Sequence, residues 1–408
     1  MTPCEALAAR AAAAVDPERA VALARALVQR RSVFEPERGC AEAEAARFLA
    51  ATLRESGFSV TLEEVAPGRP NVIADWSGSR FDPKRHKTLL FGGHTDVVTE
   101  GDAAAWKHPP FAGVLEGGRL YGRGACDMKA GVAAAVVAAE AVRAAAPELG
   151  GRLRLGFVVD EEGLMLGVKH FIRRGWARGV AGAIICEPEE NELCLWQKGA
   201  LRVEVRARGV MAHGAMPYAG VNPVPPLVRF LGAVGELEHD EQRRLGAHPF
   251  LGLPYLTPTI LRAPERGEAQ LNVLPETALC ALDIRTVPGQ DHRALLGRLG
   301  ALAEQVQGDA ALSLTLLEDR PWTQTPADDP LVRALEAAYV HVFGTPPRYG
   351  GVPGATDGTF LHAWAGVPVV TVGPGGRTVP HQRDEYVAVD DLVQAARLYA
   401  AAAVYFLA

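Results

Sequence analysis

Two histidines and a set of carboxylates in this chain stand where separate segments can bring them together. His94 and Asp96 follow the apolar run Leu89-Leu90-Phe91 and two glycines in TLLFGGHTDVV, and Asp127 lies in LYGRGACDMKAG. Glu161 and Glu162 follow the alternating stretch RLRLGFVV, Glu187 follows the short apolar run ending at Ile185, and His381 lies beyond Gly373-Pro374-Gly375-Gly376. Most of these positions fall at or just after the end of a predicted strand, and open α/β sheets collect ligands outside the carboxyl ends of their strands. Two imidazoles with three carboxylates make a mixed N/O donor set suited to zinc and acceptable to cobalt or manganese. Five protein ligands exceed what one catalytic zinc with an open position accepts, whereas they suit two metals about 3.5–4 Å apart sharing a carboxylate. Adjacent glutamates can divide the labour, one binding metal and its neighbour acting as general base. Asp96, two residues past His94, can accept a hydrogen bond from the imidazole and fix its tautomer.

The elements that must position these groups can be read from periodicity. Apolar positions at helical spacing, including Val21, Leu23, Leu27 and Val28, predict a surface helix from Pro3 to about Arg31. A second helix is expected over Ala41–Glu55, stopping at Gly57. Strands follow at Phe58–Val65, Asn71–Trp76 and Thr88–Phe91, with Gly92 and Gly93 letting the chain turn out of the sheet. The helix Val132–Ala145 and the strands Arg152–Val159 and Ala181–Ile185 complete an alternating pattern. It predicts an α/β fold, a mixed but mostly parallel sheet with helices on both faces. After Lys198 the texture changes to a β-α-β-β-α-β order ending at about Glu318, which fits an inserted ferredoxin-like α+β module. The expected division is therefore a discontinuous catalytic domain, 1–197 and 319–408, around an insertion at 198–318.

The chain has 408 residues, 48% hydrophobic and 22% charged, with a net charge of -6. That length exceeds one comfortable core, and the charge gives no reason to expect nucleic acid or an anionic membrane as partner. Six scattered cysteines without a CxxC favour a reducing cytosol. The N-terminus lacks the pattern of a signal peptide, and no apolar run approaches the roughly 20 residues of a membrane span. A cytoplasmic protein is expected.

Taken in order, GGHTDVV, WKHPPF, LYGRGACDMKAG, VVDEEG, CEPEE and VGPGG…HQRDEYV resemble the M20-type metallopeptidases. The resemblance is to the acetylornithine deacetylase, succinyl-diaminopimelate desuccinylase and aminoacylase group, and it spans about Ala20 to Ala400. It implies two divalent ions, with His94 and Glu187 on one, Glu162 and His381 on the other, and Asp127 bridging. It makes Glu161 the general base, Asp96 the support of His94, and the Asp127-Met128 peptide cis. Such a site hydrolyses an amide: water attacks the carbonyl while the metals stabilise the oxyanion.

The same resemblance makes the insertion a lid and homodimerisation domain. His213 in MAHGAMPYAGVNP then matches a histidine that reaches the partner subunit's active site and polarises the substrate carbonyl. Asn272 and Arg285 match positions that hold the substrate carboxylate, for which a guanidinium fork is well shaped, and Gly354 lies in a substrate-facing turn. The chain departs from its relatives in RAPERGEAQ before Asn272 and in the proline after Asn222, both in the lid. The expected activity is removal of an acyl group from an N-acylated amino acid. A dipeptidase or carboxypeptidase of the same fold is the neighbouring alternative, and a binding scaffold that has lost catalysis is a third. A carbamoyl-amino-acid hydrolase fits less well, because Val97 follows Asp96 where those relatives carry threonine.

Overall fold

A computed structural model describes residues 2–35 and 42–408. Cys40, and Ala41 at the expected start of the second helix, lie outside the described residues. The chain divides into two compact units, one of Met1–Trp196, Gln324–Val352 and Thr356–Ala408, the other of Gln197–Thr323 with Pro353–Ala355.

The first unit is built on a mixed sheet. Ser59–Ala66 and Arg69–Ser77 form an antiparallel hairpin, and Arg69–Ser77 is also antiparallel to Arg152–Val158. From there Arg152–Val158, Thr88–His94, Val180–Ile185 and Val369–Thr371 run parallel, side by side. Leu193–Gln197 then returns antiparallel. The sheet is less uniformly parallel than the sequence pattern suggests, because only the two residues Pro67 and Gly68 separate the first two strands. A link that short can make only an antiparallel pair.

Alternation within Thr88–His94 divides the apolar side chains between two cores. Leu89 and Phe91 join the large cluster under the helices Ala130–Ala145 and Val389–Leu407, while Leu90 joins Phe171, Phe360 and Val369. Helices therefore cover both faces, as helices on a parallel sheet core must. Gly92 and Gly93 do not turn the chain out of the sheet: the strand runs on to His94, in register with Val158. Their role is spatial. A Cβ on Gly92 would lie 2.7 Å from Ile185 Cδ1, and one on Gly93 2.6 Å from Met128 Cε.

The N-terminal helix is two helices, Pro3–Ala13 and Pro17–Val28. Proline disfavours helical geometry in the residue before it. Asp16 is extended and caps the second helix, accepting from the N–H groups of Glu18 (2.9 Å) and Arg19 (3.2 Å). Neither is a purely surface helix, since Ala8, Ala11, Leu23 and Leu27 are buried. A small sheet also escaped the periodicity: Val114–Glu116, Arg119–Tyr121 and Tyr386–Ala388, with Tyr386 opposite Tyr121. It ties the segment after His381 to the segment before Asp127.

In the second unit the strand Gly199–Arg208 leads through the helix Val224–Leu245 to the strands Tyr255–Arg262 and Thr277–Thr286. The helix His292–Val306 and the strand Ala311–Arg320 follow. The four strands form an antiparallel sheet in the order Tyr255–Arg262, Thr277–Thr286, Gly199–Arg208, Ala311–Arg320. Leu201, Val203 and Val205 pack with Phe230, Val234, Leu295 and Leu299 of the two helices. No helix among the described residues is long and apolar enough to cross a membrane.

Candidate metal centre

Because four neighbouring strands of the first unit are parallel, their carboxyl ends share one edge of the sheet. His94 is the last residue of its strand, Glu161 and Glu162 follow Arg152–Val158, and Glu187 follows Val180–Ile185. Two glycines hold the backbone before Glu187. A Cβ on Gly131 would lie 1.9 Å from the Cys186 carbonyl oxygen, and one on Gly373 2.5 Å from the carbonyl oxygens of Cys186 and Glu187. Asp127 lies at the entry to the helix Ala130–Ala145, and its peptide with Met128 is cis.

These residues converge as two triads that share Asp127. Asp127 Oδ1 lies 3.1 Å from His94 Nε2, which is 3.5 Å from Glu187 Oε1. Asp127 Oδ2 lies 3.4 Å from His381 Nε2, which is 2.9 Å from Glu162 Oε1. Within each triad the potential ligand atoms all lie within 4.8 Å of one another. His94 Nδ1 is 3.0 Å from the Asp96 carbonyl oxygen, to which it donates, so the ring directs Nε2 at the carboxylates.

Burial pulls the His94 pKa down, but Glu187, Asp127 and Asp96 outweigh it and raise the pKa well above its ordinary value. His381 is raised to about 10, chiefly by its hydrogen bonds to Asp127 and Glu162. Burial raises Glu161, Glu162 and Glu187, with repulsion from neighbouring carboxylates adding to it. Burial also works against ionised Asp127, yet the two imidazoles hold it below the usual carboxylate range. Carboxylates this close and this buried need positive charge between them. Protons and imidazolium can supply it, and a divalent ion in each triad fits the same demand.

Asp96 is placed differently from the sequence expectation. Its carboxylate Oδ1 is 3.6 Å from His94 Nδ1, farther than its own carbonyl oxygen. The side chain instead accepts from the backbone N–H of Glu161 at 3.2 Å and of Glu162 at 3.1 Å. Three further residues, none given a role by the sequence, hold the same turn. Asn71 accepts from Val159 N–H (3.1 Å) and donates to the Gly167 carbonyl (2.9 Å). Asp160, at φ 68°, accepts from Leu164 N–H (3.0 Å), and Arg69 pairs with it at 2.8 Å. The aspartate directly before the paired glutamates was the available signal for this network.

The remaining expected site residues belong to the second unit. His213 pairs in register with Val273, and Gly214 N–H donates to the Asn272 carbonyl at 2.6 Å, so His213 and Asn272 are neighbours. His213 Nδ1 accepts from Ala215 N–H at 3.0 Å, which leaves Nε2–H as a donor on an exposed ring. Arg285 is engaged by Asp283 two residues earlier, Nε–Oδ1 2.6 Å and Nη2–Oδ2 3.1 Å. Gly354 has open space around its Cβ position; in that glycine-rich stretch the close approach is at Gly350, against Arg377 and Cys194.

Two acid–histidine triads that share Asp127, with His94, Glu162 and Glu187 brought in by the ends of parallel strands, form a candidate two-metal centre in an α/β fold. Residues 90–405 match peptidase family M20/M25/M40, and the chain belongs to that family. It is a metal-dependent hydrolase acting on amide or peptide bonds. It is 32% identical to succinyl-diaminopimelate desuccinylase of Methylocella silvestris, covering 93% of this chain and 96% of the relative. It is 33% identical to the protein of that name from a Methylobacterium species, covering 93% and 94%. Among solved structures, an M20 family metallo-carboxypeptidase from Sulfolobus solfataricus shares the fold with a TM-score of 0.77 at 19% identity, over 95% of this chain and 99% of that one. Human carnosine dipeptidase 1 does so with a TM-score of 0.73 at 18% identity, over 100% and 99%.

Proposed function

We propose that the chain is a dinuclear zinc deacylase of N-acylated amino acids, with N-succinyl-diaminopimelate as the first substrate to test. The observation that carries the two-metal part is the division of Asp127 between two triads, Oδ1 toward His94 and Oδ2 toward His381. The substrate class is supported by relatives named as desuccinylases that align over nearly the whole chain. In this reading His94 and Glu187 hold one ion, Glu162 and His381 the other, and Asp127 both. Bound there, the ions would supply Lewis acidity to the amide carbonyl and to the attacking water. Cobalt or manganese would serve as substitutes.

Glu161 is the general base. Burial raises its pKa, which suits a group that takes a proton from water and returns it to the departing amine. Asp96 fixes the direction of that carboxylate through the backbone. The second unit serves as the lid and homodimerisation module, of ferredoxin-like type, and His213 polarises the substrate carbonyl through Nε2–H. Asn272 and Arg285 receive the substrate's carboxylate, with Arg285 exchanging Asp283 for it, and the Gly354 turn faces the substrate. The protein works in the cytoplasm on small molecules.

The decisive experiment is an assay panel with zinc, cobalt or manganese added back to chelator-treated protein. N-succinyl-diaminopimelate, N-acetylornithine, other N-acyl amino acids and dipeptides are compared by kcat/KM. Preference for an N-acyl amino acid supports the proposal. Preference for dipeptides would replace it with the peptidase reading, and no metal-dependent amide hydrolysis at all would sink both.

A further inference from the structure

Two buried residues outside the ligand set link the shared ligand to a ligand of the second ion. Glu385 is 1% exposed, and its Oε1 accepts from the backbone N–H of Cys126 at 2.9 Å and of Asp127 at 3.0 Å. Its Oε2 takes the guanidinium of Arg123 at 2.5 Å. Arg123, 3% exposed, also donates from Nη1 to the Gln382 carbonyl and from Nη2 to the His381 carbonyl, each at 3.3 Å. The peptide link is direct too, since Gly122 N–H donates to the Glu385 carbonyl at 2.8 Å. One ion pair thus grips the backbone of Asp127 at one end and of His381 at the other.

His94 is held differently. It ends a strand hydrogen-bonded on both sides, with Glu187 just past the end of a neighbouring strand. No strand pairing holds His381, which lies outside any strand or helix among the described residues, at φ 65° with its ring half exposed. Such a conformation costs a non-glycine residue energy and persists only where its surroundings enforce it. The guanidinium fork reaches two carbonyls and a carboxylate at once, which a lysine ammonium cannot reproduce with the same geometry.

We infer that Arg123 and Glu385 are positioning residues for the Asp127–Glu162–His381 site: they set the separation of Asp127 and His381, and so the affinity of the second ion more than that of the first. This rests on the two-metal reading above. The test is titration of the metal-free full chain with zinc against a chromophoric chelator, for wild type, Glu385→Gln and Arg123→Lys, with circular dichroism as the folding control. The expected result is a first equivalent close to wild type and a second weakened about 10- to 100-fold, the range for groups that orient metal ligands. Excess zinc should then restore kcat with KM unchanged. Equal weakening of both equivalents, two unchanged equivalents, or failure of both variants to fold would overturn the inference. A wild-type chain that binds fewer than two equivalents would instead overturn the two-metal reading on which it stands.

Discussion

The carboxylate of Asp96 accepts the backbone N–H of Glu161 at 3.2 Å, and through its other oxygen that of Glu162 at 3.1 Å. One side chain therefore sets the backbone of both the proposed base and a proposed ligand. The same residue's carbonyl accepts from the His94 ring. Asp96 thus contacts the His94 ring through its carbonyl and the backbone of Glu161 and Glu162 through its carboxylate.

Asp96→Asn should lower kcat by about 10- to 100-fold, as loss of an outer support does at metal sites. The amide can accept from one of the two N–H groups but offers a donor to the other, so the glutamate turn shifts while the carbonyl support of His94 stays. Zinc content by mass spectrometry should remain near wild type. Full loss of metal would mean that the Asp96 charge holds the ions directly.

Glu161→Gln should reduce kcat by about 10²- to 10⁴-fold, the usual contribution of general acid–base catalysis, with metal content unchanged. Glu162→Gln should do the reverse and deplete metal. Steady-state rates and metal analysis on the same preparations decide it, and inverted results would exchange the roles of the two glutamates.

His94, the Glu161–Glu162 pair and Glu187 were legible because each stands at or just past the end of an apolar run, and parallel strands bring such ends to one edge. Asp127 and His381 lie on no such strand and were legible from their motifs. What the sequence hides is everything set by close approach. Gly92 and Gly93 look like a turn, yet their lack of side chains makes room for Ile185 and Met128. Asn71 and Arg69 lie at the start of a strand, far from any motif, and meet the glutamate turn only because that strand pairs beside Arg152–Val158. The Asp96 carboxylate was expected on the imidazole two residues away, but local spacing could not show that the tighter partners come from residues 161 and 162.

His381 gives a pH dependence. Its pKa is raised to about 10 in the metal-free fold from an ordinary 6.5. The stabilisation it brings is present in full below pH 6.5 and is lost as pH rises through about 10. Urea unfolding of metal-free wild type and His381→Asn at several pH values should show a wild-type advantage that shrinks between these limits. Zinc competes for the same nitrogen, so binding should release protons, readable by calorimetry in buffers of different ionisation enthalpy. An advantage that grows with pH would contradict the assignment.

His213→Ala should lower kcat without changing metal content, since it belongs to the second unit and to neither triad. Mixing it with Glu161→Gln tests whether His213 acts on the partner's site. Hybrid dimers combine one intact Glu161 with an intact His213 from the other subunit and should recover activity above that of either variant alone. No recovery after confirmed subunit exchange would confine His213 to its own chain or remove it from catalysis.

Gly131→Ala joins packing to chemistry. The added methyl would stand 1.9 Å from the Cys186 carbonyl oxygen, which is backbone and cannot swing aside. Either the helix Ala130–Ala145 moves, carrying Asp127 at its entry, or the strand end moves, carrying Glu187. Overpacking of this kind costs about 1–3 kcal/mol, and here it also changes the distance between two ligands of one triad. Chemical unfolding should show the stability loss, and zinc titration should show weakened binding in the same variant. A destabilised Gly131→Ala protein that binds zinc like wild type would mean that the contact supports the fold without setting the metal geometry.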